Sequence, residues 1–311
     1  MTMSMPVTPQ PQAKKLAEAL GLKTALYLKR EDLHPYGSHK GRSIPLMIKK
    51  YASQGERDFV ISSSGNAALA AGLYVRDYNR QHKTDPLHLA IFIGKNIDKE
   101  KLLKLKTIKN KFITIAKTEN PKQSAFLLAK MGAQLLRQST DNLALVGYAG
   151  LYAELSKIKD LKAVFIPTSS GTTAVGLYVA SKGKIPVHIV QTDACHPFVK
   201  TTPSPLLEKE RAIASPLLFK EGTKGVVHSL ASAIVDKVGL RKPEILEALK
   251  KSRGVGYMAT NKEIKNAMAL AFKTEKIKLS PNSALALVGL RQALANGWEP
   301  NGTVALLITG R

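Results

Sequence analysis

Hydrophobic and polar positions follow two different periods along this chain of 311 residues. Short runs, most of them apolar throughout, predict strands covered on both faces, as in parallel sheets. These runs are 25–28, 58–62, 88–93, 112–116, 163–167, 186–192 and 303–309. Longer stretches with apolar residues three or four positions apart predict helices. These stretches are 40–52, 66–79, 99–106, 123–131, 142–158, 173–182, 243–251, 262–274 and 283–295.

The order of these elements, a strand followed by one or more helices, indicates a doubly wound α/β architecture. A length of 311 residues fits two domains or one large α/β unit. In open parallel sheets, ligands bind at the carboxyl ends of the strands, where the next helix begins. Candidate functional residues are therefore expected at the junctions between strands and helices.

Charge changes this picture only slightly. The chain has 47 Lys and Arg against 23 Asp and Glu, a formal net charge of +24. The densest basic stretch, 95–122, carries nine lysines that alternate with apolar residues, a pattern typical of a solvated helix followed by a strand. No nucleic-acid-binding motif accompanies it, and only 6% of the residues are aromatic. A nucleic-acid partner is not expected, despite the basic surface.

The sequence offers little for redox, metal or membrane chemistry. Cys195 is the single cysteine, which excludes a disulfide within the chain and a thiolate zinc cluster. The seven histidines lack metal-ligand spacing, so no metal site is expected. Residues 1–10 lack the apolar core of a signal peptide, and no apolar stretch is long enough to span a bilayer. We expect a cytoplasmic protein without a membrane segment.

Two junctions are rich in small hydroxylated residues. Residues 62–66 read SSSGN after a predicted strand, and converging hydroxyl and backbone N–H groups there suit a carboxylate. Residues 167–173 read PTSSGTT between a strand and a helix, which suits a phosphate held at a helix N-terminus. In both places an ordinary capped turn is the alternative interpretation.

A third junction, 28–42, reads LKREDLHPYGSHKGR. The turn at Pro35–Gly37 leads to Ser38 as a helix N-cap, with Lys40 in the first turn. A helix N-terminus disfavours positive charge, so an unusual, reactive amine is one interpretation of this lysine. A solvated lysine beside a capping serine is the other, and the residues alone favour it.

In this order, the three junctions resemble those of the pyridoxal-phosphate enzymes of fold type II. That superfamily includes threonine synthase, cysteine synthase, serine/threonine dehydratases and the tryptophan synthase β-subunit. The resemblance extends from Thr8-Pro9 to the closing TGR at 309–311. It implies two doubly wound α/β domains with pyridoxal 5'-phosphate in the cleft between them. The larger, cofactor-binding domain would comprise 1–44 and 151–311, and the smaller mobile domain 45–150 would carry the Ser-Gly-Asn substrate loop.

The resemblance also assigns roles to individual residues. Lys40 would be the catalytic residue, binding the cofactor as a Schiff base and moving the α-proton of the substrate. The cofactor-binding residues besides Lys40 would be His39, Asn66, Thr168, Ser169, Ser170, Gly171, Thr172 and Thr309. The substrate carboxylate would be bound by Ser63, Ser64, Asn66 and Ala67. The sequence departs from the family pattern in two places. The predicted phosphate loop has one glycine, Gly171, where the family usually has more, and the segment SPNSA at 280–284 lacks a Glu that the family often has.

Within the superfamily, the segments 64–68 (SGNAA) and 229–234 (SLASAI) are most similar to threonine synthase. The Ser-His-Lys trio at 38–40 is closer to tryptophan synthase. We expect a lyase of amino-acid biosynthesis, a homodimer acting on a small amino acid, that converts O-phosphohomoserine to threonine and phosphate. A serine/threonine dehydratase or a cysteine synthase-like enzyme of β-elimination or β-replacement is the alternative. An inactive basic binding protein on this scaffold is the remaining hypothesis.

Overall fold

A computed structural model of the chain describes residues 6–97, 99–199 and 229–310. Contacts divide it into two compact units. The first holds 30–154 together with 6–9 and residue 310, and the second holds 10–29 and the described parts of 155–309. Each unit contains one sheet and its own hydrophobic core.

The first unit is built on a four-stranded parallel sheet. Its strands are β2 (Asp58–Ser62), β3 (His88–Gly94), β4 (Ile113–Thr118) and β5 (Gln134–Leu135), in the order β4-β3-β2-β5. Its helices are α2 (Ile44–Ala52), α3 (Asn66–Gln81), α4 (Lys99–Lys106), α5 (Pro121–Lys130), α6 (Leu143–Val146) and α7 (Ala149–Leu155). The register pairs Val60 with Ala90 and Ala90 with Thr114, so the carboxyl ends of the three long strands lie at one edge.

The second unit is built on a five-stranded sheet in the order β1-β9-β6-β7-β8. Its strands are β1 (Leu26–Arg30), β6 (Leu161–Pro167), β7 (Val187–Thr192), β8 (Gly256–Ala259) and β9 (Thr303–Ile308). Its helices are α1 (Lys14–Ala19), α8 (Thr172–Ser181), α9 (Lys242–Ser252), α10 (Asn261–Glu275) and α11 (Pro281–Ala295). Strand β6 pairs in parallel with β7 and β9, and β7 pairs in parallel with β8.

The core of the second unit explains why α11 lacks an amphipathic pattern. Residues 284–290 of this helix are all buried, and they pack against β6 and β7. A Cβ on Gly289 would lie 2.4 Å from Val190 and 3.1 Å from Phe165, so glycine permits the close approach of helix and sheet. Parallel strands and buried helices in both units confirm the predicted α/β class.

Two predicted helices differ from those in the structure. The helix predicted over 40–52 begins at Ile44, because Pro45 lacks an N–H and favours the first turn, and His39–Arg42 forms a separate 3-10 turn. The helix predicted over 142–158 is interrupted between α6 and α7. A Cβ on Gly147 would lie 2.4 Å from the carbonyl oxygen of Arg42, so this glycine allows two backbones to meet at the interruption.

The short elements α1, β5 and β8 were not predicted from the sequence. Strand β8 has four residues, and its extended form depends on pairing with β7 rather than on a local pattern. The sequence resemblance implies a larger domain of 1–44 and 151–311 and a smaller, mobile domain of 45–150. This division into domains stays a prediction. Among the described residues, no helix combines the length and apolar character needed to cross a membrane.

Candidate active site

Lys40 lies in the 3-10 turn that connects the loop after β1 to α2. Ser38 caps this turn: its backbone is extended and its Oγ accepts a hydrogen bond from the Lys40 N–H at 3.2 Å. The side chain of Lys40 is half-buried. Across the described residues, its Nζ makes no hydrogen bond or ion pair, so no protein group ties it up.

A buried ionic cluster holds this turn two residues further on. The Arg42 guanidinium donates to Glu31 (Nη2 to Oε1, 2.7 Å; Nε to Oε2, 2.9 Å) and to Glu154 (Nη1 to Oε1, 2.5 Å). The Thr8 hydroxyl donates to Glu31 at 2.5 Å. Burial disfavours the charged guanidinium, but its hydrogen bonds with Glu31 and Glu154 dominate and raise the pKa of Arg42. Arg42 thus stays charged, and its buried ion pairs hold the backbone next to Lys40 in place.

Asn66 and the Lys40 turn meet at Gly310. Ser38 and Gly310 form an antiparallel bridge. A Cβ on Gly310 would lie 2.6 Å from Asn66 Nδ2 and 3.0 Å from Ser38 Cβ. Only a residue without a side chain leaves the Asn66 amide in this position. The sequence alone predicts no role for Gly310.

The predicted carboxylate loop follows β2 in the first unit. Ser63 Oγ accepts the Gly65 N–H at 3.3 Å, and Ser64 and Ala67 are partly exposed. Helix α3 begins at Asn66, and no side chain caps its N-terminus. Its first-turn N–H groups have no acceptors within the helix, so hydroxyl and N–H donors converge here as an anion requires.

A cavity of ≈ 350 Å³ in the first unit adjoins this loop and is lined by Asp32, His34, Gly37, Asn66 and Leu69, among others. Its Asp32 is already bound by Arg30 through two contacts of 2.8 Å. His34 Nδ1 accepts the Tyr36 N–H at 3.1 Å, so the neutral ring carries its hydrogen on Nε2. Burial lowers the pKa of His34 to about 4, and Nε2 has no partner in the described part of the chain. His34 Nε2–H is therefore a buried, uncharged donor that no acceptor among the described residues satisfies.

A larger cavity, ≈ 440 Å³, lies at the opposite edge of the same sheet. Its lining includes Asp58 and His88, the first residues of β2 and β3. Ligands of parallel α/β sheets bind at the carboxyl edge. The smaller cavity beside Asn66 is therefore the better candidate for function.

The predicted phosphate loop follows β6 in the second unit. Gly171 has a left-handed backbone (φ +82°) and precedes α8, whose N-terminus no side chain caps. The hydroxyls of Ser170 and Thr172 are 2.9 Å apart. Thr168 differs from them, because its hydroxyl donates to the Ile166 carbonyl at 2.8 Å. The N-terminus of α8, together with the hydroxyls of Ser170 and Thr172, thus supplies the N–H and O–H donors that a phosphate site needs.

Ser169 makes contacts that the sequence did not predict. Its hydroxyl donates to Asp236 Oδ2 at 2.8 Å and accepts the Asp236 N–H at 3.4 Å. The two residues are 67 positions apart, and no local pattern links them. A carboxylate beside a predicted phosphate loop is unexpected.

Thr309 follows β9 in the second unit and is buried, with its Oγ1 3.5 Å from Ser283 Oγ. Ser280 caps α11 by accepting the Ser283 N–H at 3.3 Å. The SPNSA segment, which departs from the family pattern, thus begins a helix that supports Thr309. His39, in the first unit, faces Tyr148 with ring centroids 6.5 Å apart. Arg311 lies outside the described residues.

Cys195 is not a candidate nucleophile. Its side chain is buried, and burial and the nearby Asp236 raise the pKa of its thiol. Thiolates react and thiols do not, so a raised pKa makes Cys195 inert at neutral pH.

A family model described as pyridoxal-phosphate dependent enzyme matches residues 2–310. This chain belongs to the pyridoxal-phosphate dependent enzyme family. Pyridoxal phosphate is therefore its cofactor, as the sequence resemblance implied.

Two curated relatives of this pyridoxal-phosphate enzyme have different activities. It is 27% identical to threonine synthase of Mycobacterium leprae over 310 residues, 97% of this chain and 80% of the relative. It is 28% identical to human L-serine dehydratase/L-threonine deaminase over 207 residues, 63% of this chain and 60% of the relative.

Solved structures show the fold. Serine racemase from Dictyostelium discoideum superposes with a TM-score of 0.77 at 20% identity, covering 98% of this chain and 92% of that one. Threonine deaminase isoform 2 from Solanum lycopersicum superposes with a TM-score of 0.75 at 18% identity, covering 98% of this chain and 84% of that one. The fold is that of the fold type II pyridoxal-phosphate enzymes.

The residues present fit the cofactor. Lys40 supplies an amine for the aldehyde, Ser170, Thr172 and the N-terminus of α8 supply phosphate donors, and Asn66 supplies an amide. Thr309 supplies a neutral hydroxyl. Every functional group of pyridoxal phosphate thus has a residue of suitable chemistry, in one unit or the other.

Proposed function

We propose that this pyridoxal-phosphate enzyme eliminates or replaces a substituent of a small amino acid, and that it converts O-phosphohomoserine to threonine and phosphate. The observation that carries the proposal is the capped turn of the first unit, in which the amine of Lys40 has no partner among the described residues. The similarity to threonine synthases of Mycobacterium leprae and Mycobacterium tuberculosis, at 26–27% identity over 97% of the chain, supports the substrate.

The residues of the first unit would bind the cofactor and orient the substrate. Lys40 would hold the cofactor covalently and then, as a free amine, remove and return the α-proton. Ser63, Ser64 and the first N–H groups of α3 would bind the substrate carboxylate. Asn66, held by its contact with Gly310, would hydrogen-bond the ring hydroxyl of the cofactor. When bound, pyridoxal phosphate supplies an electron sink for the substrate carbanion.

The residues of the second unit would hold the phosphate and tune the ring. Ser170, Thr172 and the N-terminus of α8 would bind the phosphate. Thr309 would face the pyridine nitrogen with a hydroxyl that does not enforce protonation as a carboxylate would. A less electron-deficient ring favours expulsion of a leaving group over transamination, which agrees with elimination chemistry.

The net charge of +24 supports an anionic substrate. Positive surface potential raises the encounter rate of anions, and the effect falls with salt. Lys104, an exposed residue of α4, lines the cavity that also includes Asn66 and His34. A phosphate-bearing amino acid agrees with these charges.

A dehydratase or β-replacing enzyme is the second candidate. The human L-serine dehydratase/L-threonine deaminase relative supports it. The inactive binding protein receives less support, because Lys40, Asn66 and Thr309 are all present in positions that suit the cofactor. A homodimeric assembly and a cytoplasmic location belong to the proposal through the family resemblance.

Steady-state assays would decide between the candidates. We would measure phosphate release from O-phosphohomoserine, keto-acid release from threonine and serine, and sulfide-dependent turnover of O-acetylserine. The proposal expects the highest kcat/KM with O-phosphohomoserine and none in the Lys40→Ala variant. Turnover of serine, threonine or O-acetylserine without phosphate release from O-phosphohomoserine would instead establish the second candidate.

A further inference from the structure

We propose that Asp236 lowers the affinity of the phosphate loop for the cofactor phosphate, and that Ser169 connects Asp236 to this loop rather than binding phosphate. The inference rests on the proposed assignment of 168–172 as the phosphate loop. It assigns a new function to Asp236 and changes the role predicted for Ser169.

The contacts of Ser169 define this connection. A serine hydroxyl has one proton to donate, and in Ser169 that proton goes to Asp236 Oδ2 at 2.8 Å. Ser169 Oγ itself accepts the backbone N–H groups of Val235 at 3.3 Å and Asp236 at 3.4 Å. With its proton on a carboxylate, the Ser169 hydroxyl has nothing to donate to a phosphate oxygen. Hydrogen bonds with a charged partner are also the stronger ones, so this bond resists exchange.

In the described part of the chain, no cation forms an ion pair with the Asp236 carboxylate. Lys237 is the next residue, and the nearest guanidinium along the chain, that of Arg241, contacts Glu244 at 3.5 Å. Asp236 also acts on Cys195, where it adds to the effect of burial in raising the pKa of the thiol. The negative charge of Asp236 therefore acts on at least one other group of the second unit, the Cys195 thiol.

A phosphate group bound at the N-terminus of α8 would be repelled by the Asp236 carboxylate, which contacts Ser169 of the same loop. The cofactor phosphate carries about two negative charges at neutral pH, and like charges in a partly buried site repel. Ser170, Thr172 and the helix dipole attract the phosphate, whereas Asp236 opposes it. The enzyme thus binds its cofactor less tightly than the loop alone would allow.

Comparing two ligands isolates this effect. Pyridoxal has the ring and aldehyde of the cofactor but no phosphate, so Asp236 should discriminate between them. We would titrate the cofactor-free protein with each ligand and take the ratio of the two dissociation constants. Asp236→Asn keeps an oxygen that accepts the Ser169 hydroxyl and removes the charge. We expect it to bind pyridoxal phosphate roughly fivefold more tightly and pyridoxal about equally. An unchanged ratio would overturn the proposal.

Ser169→Ala gives an independent test that does not depend on how well Asp236→Asn folds. If Ser169 donates to Asp236 and not to phosphate, its removal takes away no phosphate donor, so the preference for pyridoxal phosphate should stay at least as high as in wild type. A tenfold loss of preference for pyridoxal phosphate, about 1.4 kcal/mol, would show that Ser169 is a phosphate donor and would contradict the proposal.

Two controls separate this inference from the loop assignment. Asp160→Asn removes an equal charge from an exposed residue of the second unit that pairs with Lys162 at 2.9 Å, and it should leave the ratio unchanged. Ser170→Ala and Thr172→Val should each reduce the preference for pyridoxal phosphate. If neither does, the loop assignment is wrong. If both do and Asp236→Asn has no effect, the loop is correct and the role of Asp236 is wrong.

Discussion

Arg42 Nη2 lies 2.7 Å from Glu31 Oε1, and both side chains are completely buried. Glu154 contacts the other guanidinium nitrogen, so one positive and two negative charges share this site. Burying charges is costly unless they are paired and hydrogen-bonded, as they are here. The cluster lies two residues after Lys40, where a shift of the backbone would move the proposed catalytic amine.

Replacing Arg42 should therefore be severely destabilising. Arg42→Met leaves Glu31 and Glu154 buried without a cation, and we expect the free energy of unfolding to fall by about 3–5 kcal/mol. Urea unfolding followed by circular dichroism measures this loss. The control is Arg57→Met, whose ion pair with Asp85 at 2.6 Å is open to solvent, so its removal should cost much less stability. An equal loss of unfolding free energy in the two variants would show that the buried cluster stabilises the fold no more than the exposed pair does.

Gly310 should be essential for cofactor binding and less so for folding. In Gly310→Ala the new Cβ would lie 2.6 Å from Asn66 Nδ2, so the amide must move away from the proposed cofactor hydroxyl. We expect at least roughly tenfold weaker binding of pyridoxal phosphate, about the loss of one hydrogen bond to a charged partner. Absorbance titration measures the affinity. Gly94→Ala, where nothing lies within 4 Å of the new Cβ, is the matched control.

The stability of the protein should fall on mild acidification, partly because of His188. Its ring stacks on Phe165 with centroids 4.5 Å apart, and burial lowers its pKa to about 4. The unfolded chain takes up a proton near pH 6.5, whereas the folded chain does so only near pH 4. Stability from the neutral ring is thus complete above about pH 6.5 and is lost as the pH falls towards 4, by about 3 kcal/mol in total.

Unfolding at about pH 7 and about pH 4.5 tests this pH dependence. His188→Gln should be less stable than wild type at neutral pH, because it loses the ring stacking, but its stability should fall less on acidification. His82→Gln, which changes an exposed histidine, should show the full wild-type loss. A loss in His188→Gln equal to that of wild type would show that His188 does not govern this pH range.

Local patterns in the sequence predicted the long elements well. Strand β2 has the bounds predicted from its apolar run, and the helices after β2 and β6 begin within one residue of their predicted starts. These features depend on side chains close together in sequence, where periodicity is informative. The three junctions also contain Lys40, Asn66 and the loop 168–172, to which the proposed function assigns the cofactor.

Contacts between distant residues could not be predicted in this way. Arg42 and Glu154 are 112 positions apart, and Ser169 and Asp236 are 67 apart. Nothing in either neighbourhood distinguishes these charges from the many on the surface. The glycines at 147 and 310 are needed because another backbone or side chain approaches them, and that approach exists only in the folded chain.

The most direct test of the central claim is the visible absorption spectrum after incubation with pyridoxal phosphate and desalting. If Lys40 binds the cofactor covalently, as proposed, wild-type protein should retain a yellow band. Lys40→Ala should lose the band, and Lys50→Ala, which changes an exposed lysine of α2, should retain it. A colourless wild-type protein, or a Lys40→Ala variant as yellow as wild type, would contradict the assignment of Lys40 and with it the proposed mechanism.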